Sequence, residues 1–343
     1  MRKEGVVGNR KPIKAAVVGY GYWGPHMARN IAQIPEFELA AVADFSETRR
    51  RAVIDTLPGT KTFASLEEML NACDLDAVVI ATPPRTHHEL ASQCIERGLH
   101  VIVEKPLTTN VASARQLVQK AEDNETVLMV DHTYCYSSPV NHMKFLVENN
   151  SLGELVYFDS TRVNLGLFQP DVSVLWDLAV HDLAILQHVT GRCPVAVSAS
   201  GGRHSKAQHQ AATFLTLYFD DLFFAHINVS WLSPMKIRRT VLSGTEKTVL
   251  FDDMTADERI RIYEAGVQQD TADLLQYRLG EVSIPRLPNN EALRTELEHF
   301  RDCINDGIEP VTSAKNSLEI IAILESSQKS LDEGGTCVSV QPL

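Results

Sequence analysis

From Ile13 onward the first half of this chain repeats one unit, a short apolar run, a turn and then an amphipathic stretch, and that alternation is its strongest constraint on fold. The apolar runs are Ile13 to Val18, Phe37 to Ala43, Asp76 to Ala81, His100 to Val103 and Val127 to Val130. They are rich in β-branched residues and nearly continuous, as strands buried on both faces must be. Between them, Trp23 to Ile34, Glu47 to Leu57, Ser65 to Ala72, Thr86 to Arg97 and Val111 to Glu122 carry helical periodicity. Strands that alternate with helices form a doubly wound parallel sheet, an α/β Rossmann arrangement whose ligand sits at the carboxyl ends of the strands. At 343 residues the chain exceeds what one core usually serves, so a second domain is expected.

The loop after the first run reads Gly19-Tyr20-Gly21-Tyr22-Trp23-Gly24, and Asp44 closes the second run. A lone GxGxxG is a weak signal, but here it follows a strand, opens a helix and is answered by an acidic residue. Gly19 permits the tight turn, Gly21 lets a pyrophosphate approach the backbone, and Gly24 lets the helix pack closely. The helix N-terminus offers free N–H groups and partial positive charge to the phosphates. Asp44 can accept from both ribose hydroxyls and repels a 2′-phosphate, which favours NAD over NADP. Arg49-Arg50-Arg51 runs the other way, because one of these residues can meet a 2′-phosphate.

Two further strand tips carry polar groups: Thr82-Pro83-Pro84 followed by His87, and Glu104-Lys105-Pro106. These residues, with the glycine loop and Asp44, form the expected cofactor-binding set. A lysine at the tip of a buried strand is poorly explained as surface charge. Further on, Asp177 and His181 lie four apart in a helical segment and are expected to share one face. A histidine near its unperturbed pKa of about 6.5 suits proton abstraction at neutral pH. Asp177 can orient His181 or contact a substrate, and the spacing leaves both open.

The formal net charge of −12 argues against nucleic acid or an anionic membrane as partner. No apolar run reaches membrane-spanning length, and Met1 to Lys11 lacks the apolar core of a signal peptide and reads as a loose tail. Six scattered cysteines without a CxxC pair fit reduced thiols in a cytoplasmic protein, and no structural metal site is expected.

Together, Gly19-x-Gly21-x-x-Gly24, Asp44, Ala81-Thr82-Pro83, Glu104-Lys105-Pro106 and Asp177-x-x-x-His181 resemble the glucose-fructose oxidoreductase, inositol dehydrogenase and MocA-like family. The resemblance implies a Rossmann domain over 12–133 and an α+β domain over 134–343 built on a large, mostly antiparallel sheet. The runs Gly153 to Val163, Val195 to Ser200, Ala211 to Phe219, Phe223 to Leu232, Ile237 to Ser243, Thr248 to Asp252 and Arg259 to Tyr263 supply its strands. Asn141 to Glu148, Glu291 to Ile304 and Ser317 to Leu331 read as helices, and the resemblance implies that the last one packs back on the Rossmann domain.

The resemblance also implies an NAD-dependent sugar dehydrogenase with Lys105, His181 and Asp177 as its catalytic residues. A secondary alcohol loses hydride to the nicotinamide while His181 takes the hydroxyl proton and Lys105 holds the oxygen. The segment Thr161 to Asp171 places Arg162, Asn164 and Gln169 just before the catalytic stretch, where they can read a polar sugar. There Arg162 either pairs with a substrate phosphate or carboxylate or lies on a solvated strand face. Gly21 to Pro25 and Trp176-Asp177-Leu178-Ala179-Val180-His181-Asp182 resemble the branch that oxidises the 3-hydroxyl of UDP-N-acetylglucosamine or its uronic acid. A homodimer or homotetramer is implied in the same way. Rival readings are an NAD(P)H-dependent ketoreductase of a nucleotide-linked deoxysugar, a dehydrogenase of a free sugar or inositol, and a dinucleotide-sensing protein without catalysis. A metal hydrolase or lyase using Asp177, His181 and His188 is a fourth.

Overall fold

A computed structural model describes residues 11–166, 168, 171–206, 208–269 and 275–341, so the expected N-terminal tail lies almost wholly outside the described residues. The chain forms two compact units, neither continuous in sequence.

The first unit holds a six-stranded sheet of β1 (Ile13–Val18), β2 (Phe37–Ala43), β3 (Lys61–Phe63), β4 (Ala77–Ile80), β5 (His100–Glu104) and β6 (Leu128–Asp131). Its order is β3-β2-β1-β4-β5-β6 and every pairing is parallel. The strand order reverses between β1 and β4, which makes the ends of these two strands the crevice of a doubly wound sheet. All four residues of β4 are buried, which explains its unbroken apolar sequence. The helices of this half are α1 (Gly24–Gln33), α2 (Glu47–Thr56), α3 (Leu66–Ala72), α4 (His87–Ile95) and α5 (Val111–Asp123). Ser46 and Ser65 cap α2 and α3 by accepting hydrogen bonds from the Arg49 and Glu68 amides. The three-residue strand β3 was not expected from the sequence.

Beyond these elements, the first unit takes in Leu293–Ser313 from near the chain's end. Helix α8 (Ala292–Asp306) buries Leu293, Leu297 and Phe300 along one stripe, each side chain contributing roughly 1.5–3 kcal/mol. Arg301 reaches Glu36 at 3.3 Å, the Val130 amide donates to Thr312 O at 3.0 Å, and Met129 bridges Ser313. The long last helix α9 (Ala314–Asp332) belongs instead to the second unit, where it packs on the sheet. Helix α9 is the one expected to pack back on the Rossmann domain, and the late segment grouped with the first unit is the one that contains α8.

The second unit is built on a nine-stranded sheet. Its strands are β7 (Leu155–Leu165), β8 (Ala196–Gly202), β9 (Ala212–Tyr218), β10 (Phe224–Ser230), β11 (Leu232–Gly244), β12 (Thr248–Asp252) and β13 (Ile260–Tyr263), closed by short edge strands. β14 (Gly266–Gln269) and β15 (Leu275–Arg278) make a separate hairpin, while β16 (Val282–Ser283) and β17 (Val338–Ser339) are the sheet's two edges. The order is β16-β13-β12-β11-β7-β10-β9-β8-β17; β7 and β10 run parallel, and the other neighbours are antiparallel. Helices α6 (Ser138–Glu148) and α7 (Val180–Thr190) pack with α9 against one face. On the other, Phe214, Tyr218 and Phe224 stay more than two-fifths exposed, and Tyr157 stacks on Phe224 at 5.9 Å.

Directly before α7, residues Leu175–Ala179 form a single π-helical turn. Such turns are rare and recur at functional sites. The segment carrying Asp177 is thus a π turn and not the plain α-helix expected, with His181 in the first turn of α7 after it.

Candidate functional site

In the first unit the glycine loop joins β1 to α1. Gly19 has φ +93°, and a Cβ there would stand 2.5 Å from the Ala81 carbonyl oxygen. A Cβ on Gly24 would overlap the Gly19 carbonyl oxygen, so this glycine serves the turn itself more than helix–sheet packing. At Gly21 a Cβ would meet only the Arg49 guanidinium, at 3.9 Å. The backbone there borders open space, which a pyrophosphate needs if it is to reach the amides. Asp44 is buried at the tip of β2 and accepts from the Tyr20 amide at 2.7 Å and the Ser46 amide at 2.8 Å. Arg49 lies 3.4 Å from the same carboxylate, Arg50 donates to the Asp44 and Phe45 carbonyls, and Arg51 pairs with Glu47. All three arginines thus have local partners. Tyr20 is buried, whereas Tyr22 is 80% exposed and packs with Trp23 and His26 as a ring cluster on the loop. These residues fit an NAD site: an open backbone cradle, a helix N-terminus and a fixed carboxylate.

The other strand tips divide into two kinds. Thr82 and Pro83 end β4, with the Thr82 hydroxyl bonded to that of Thr86 at 2.7 Å and its methyl beside Gly19. His87 was expected to touch the cofactor, but it is fully buried and its Nε2 is bonded to the Thr82 carbonyl at 2.8 Å. It holds the strand tip in shape. Glu104 ends β5, buried and in register with Asp131 of β6.

The next residue, Lys105, belongs to the second unit together with Asp177 and His181. Its ammonium donates to the Asp177 carbonyl at 2.9 Å and to Asp177 Oδ1 at 3.0 Å. Asp177 Oδ2 accepts from the indole of Trp231 at 3.3 Å. The Asp177 carboxylate is therefore bonded to Lys105, a contact that neither of its two expected roles named. His181 is part-buried, its ring edge-on to Tyr134 at 5.4 Å, and its Nδ1 is sealed from water with no hydrogen-bond partner among the described residues. Burial, and after it the positive charges of Lys105, Arg162, His132 and Arg238, hold its pKa well below the usual 6.5. It is not poised near 6.5 as expected but firmly neutral at pH 7, the form that accepts a proton.

Arg162 corrects both of its expected roles. It is 4% exposed on β7, with Nε and Nη2 gripping both oxygens of the fully buried Asp182 at 2.9 and 3.0 Å. Nη1 donates to the Tyr134 hydroxyl at 3.0 Å, and the guanidinium stacks 4.6 Å from that ring. Burial opposes its charge, but the carboxylate and the tyrosine outweigh burial and raise its pKa. It is neither on a solvated face nor available to a substrate anion. Asn164 follows on the same face of β7, part-buried, and Gln169 lies outside the described residues. Tyr134, Trp231, Asp182, Arg238 and Asp253 complete the surroundings of His181 and were missed. Apart from Asp182, which ends the motif around His181, their sequence neighbourhoods carry no motif, and only the β7–β11 register brings Arg238 opposite Arg162. His188, offered as a metal ligand, is bonded to Asn141. Among the described residues no three His, Cys, Asp or Glu side chains converge as metal ligands, and no helix is long and apolar enough to cross a membrane. None of the six cysteines forms a disulfide among the described residues.

Comparison with known proteins follows the same division of the chain. Residues 13–132 match an oxidoreductase family with an NAD-binding Rossmann fold, and residues 140–250 match the GFO/IDH/MocA C-terminal domain. The chain is 30% identical over 192 residues to UDP-N-acetylglucosamine 3-dehydrogenase of Acidithiobacillus ferrooxidans, covering 55% of this chain and 58% of that protein. It is 24% identical over 316 residues to the NAD-dependent scyllo-inositol 2-dehydrogenase of Bacillus subtilis, covering 88% and 89%. Several other curated relatives are matched over about half their length, 46% in one case and 60% in another. A crystal structure of an oxidoreductase from Magnetospirillum magnetotacticum superposes with a TM-score of 0.81 at 26% identity, covering 92% of this chain and 99% of the other.

Proposed function

Because the chain belongs to the GFO/IDH/MocA oxidoreductase family, we propose that it is an NAD-dependent dehydrogenase that oxidises a secondary hydroxyl of a sugar. The substrate in this reading is a nucleotide-linked amino sugar, UDP-N-acetylglucosamine or its uronic acid, oxidised at the 3-hydroxyl. One observation carries the proposal: a lysine fixed by Asp177 and a neutral, part-buried histidine occupy the same compact unit. The relative from Acidithiobacillus supports the choice of sugar.

When bound, NAD supplies the hydride acceptor. The chain's own residues handle the proton and the oxygen. The Lys105 ammonium, aimed by two bonds to Asp177, stabilises negative charge growing on the reacting oxygen. His181 accepts the hydroxyl proton, since burial, and after it the nearby cations, keep its imidazole unprotonated until the substrate brings the proton. In the first unit, Asp44 and the glycine loop bind and orient the dinucleotide. The half-exposed aromatic face of the nine-stranded sheet is suited to self-association as a homodimer or homotetramer, which light scattering of the purified protein tests.

His181→Asn is expected to leave NAD binding unchanged while turnover falls by roughly 10²–10⁴, the usual scale for a general base. Undiminished turnover removes His181 from the mechanism. A second reading, oxidation of an inositol or a free sugar, is favoured by the longer match to the Bacillus enzyme. Relative kcat/KM on a panel of inositols and nucleotide sugars separates the two.

A further inference from the structure

A lysine ammonium carries three N–H donors, and Lys105 commits two of them to a single residue. They reach the Asp177 carbonyl at 2.9 Å and Asp177 Oδ1 at 3.0 Å, and the third has no partner among the described residues. The nitrogen is tetrahedral, so two fixed acceptors also fix the direction of the remaining donor. The aim of that donor is therefore only as good as the hold on the two acceptors.

The two acceptors are held by different means. The Asp177 carbonyl belongs to the backbone of the π turn, which α7 continues. The carboxylate ends a side chain that rotates freely unless something grips it. Besides Lys105, its one partner among the described residues is the Trp231 indole, which donates to Oδ2 at 3.3 Å. Trp231 is itself firmly seated. It is the single residue between β10 and β11 and is 2% exposed. Its amide donates to the Ala211 carbonyl at 2.8 Å, and its carbonyl accepts from the Gly166 amide at 3.2 Å. Phe168 meets the ring edge-on at 5.6 Å. A Cβ on Gly166 would stand 2.8 Å from Trp231 Cδ1, so the bare backbone of that glycine closes against the indole. An apolar ring packed this tightly has one polar handle, and the handle is spent on a carboxylate.

We propose that Trp231 is a positioning residue: by gripping Asp177 Oδ2 it sets the direction in which Lys105 presents its third N–H to the reacting oxygen. This deepens the dehydrogenase reading above and rests on it. Trp231 touches neither the reacting atoms nor the ammonium in this role, and it acts through Asp177 alone.

The test is a double-mutant cycle on whichever of the inositols and nucleotide sugars the wild-type protein turns over best. Trp231→Phe keeps an aromatic ring and removes the N–H. It is expected to lower kcat about 10- to 100-fold, the scale of an error in aim of about 1 Å. KM should stay within about threefold, because binding common to ground and transition state is untouched. In a Lys105→Met background no ammonium is left to aim, so the same substitution should lower kcat by less than about twofold. NAD binding by calorimetry reports that the variants are folded. An equal kcat loss with and without Lys105, or a KM rise with kcat unchanged, makes Trp231 ordinary packing or a pocket wall and overturns the proposal.

A second readout needs no turnover. The chain has three tryptophans, so Trp23→Phe and Trp176→Phe identify the Trp231 indole N–H in a heteronuclear NMR spectrum by elimination. Its proton resonance is expected to move upfield in Asp177→Asn, a weaker acceptor, and to move in Lys105→Met, where the shared carboxylate loses its other partner. A resonance that stays in place in either variant overturns the proposal, even where Trp231→Phe fails to fold. If no compound reduces NAD, the dehydrogenase reading falls by itself, while a resonance that moves in both variants keeps the coupling of Trp231 to Lys105.

Discussion

Replacing Asp182 with Asn tests whether the buried ion pair is a structural anchor. Asp182 is fully buried and accepts from Arg162 Nε, Arg162 Nη2 and the Ser160 hydroxyl, at 2.9, 3.0 and 2.7 Å. Asparagine keeps the shape but removes the charge and leaves a 4% exposed guanidinium without its counter-ion. Breaking such a pair from one side costs about 3–5 kcal/mol, a large part of a typical stability of about 5–15 kcal/mol. For a unit of this size that corresponds to a fall in Tm of roughly 6–20 °C, at about 2–4 °C per kcal/mol. Urea titration followed by circular dichroism should show a lower midpoint with an unchanged slope. The double variant Arg162→Met/Asp182→Leu removes both charges and should recover most of the loss. A single-variant cost under about 1 kcal/mol, or a double variant as unstable as the single, refutes the reasoning.

Three other outcomes follow from the same geometry. Gly21→Ala should leave thermal stability within about 1 kcal/mol of wild type, since its Cβ meets nothing closer than 3.9 Å, yet weaken NAD binding measured by calorimetry at least about tenfold; Gly24→Ala, whose Cβ overlaps the Gly19 carbonyl, should lose stability as well. Lys105→Met should lower kcat by about 10²–10³ without unfolding the protein, as loss of an oxyanion donor does, and an unaltered kcat excludes that role. The pH profile is also constrained: the His181 pKa is depressed, so kcat/KM should hold as pH drops past 6.5 and fall only as the lowered value is crossed. The unfolded chain binds protons at His181 and His188 from about pH 6.5 downward while the folded chain resists, His188 until about 4, so melting temperature should decline from pH 6.5 toward 4.

Much of this could be read from sequence because it depends on local physics. β1 and β2 begin and end where the apolar runs do, since a largely buried parallel strand admits few polar residues, here Lys14 and Glu38 near the strand starts. β3 escaped notice at three residues, and the edge strands β16 and β17 at two residues each are too short to show a period. The π turn was invisible because Leu175, Ala179, Val180 and Leu183 are buried in an order that an α-helix would also produce. Lys105, Asp177 and His181 were found by motif, but their bonding was not, because it depends on Trp231 and Tyr134 from distant segments. Arg162 was misread for the same reason. A charged residue on a strand reads as solvated or ligand-binding until its buried partner, twenty residues on in another element, is seen. His87 looked functional beside a strand tip, and only its burial shows that it braces the Thr82 carbonyl.

The borrowing of Leu293–Ser313 by the first unit has a consequence for how the protein is made. Domains usually fold in order as they leave the ribosome, N-terminal first. Here the nucleotide-binding unit waits for a piece translated after nearly all of its neighbour, and until it arrives the surface meant for Phe300 and Leu297 stays uncovered. A nascent chain stalled or cut before residue 293 holds every glycine of the phosphate cradle and still lacks a finished domain, which makes it a natural client for chaperones.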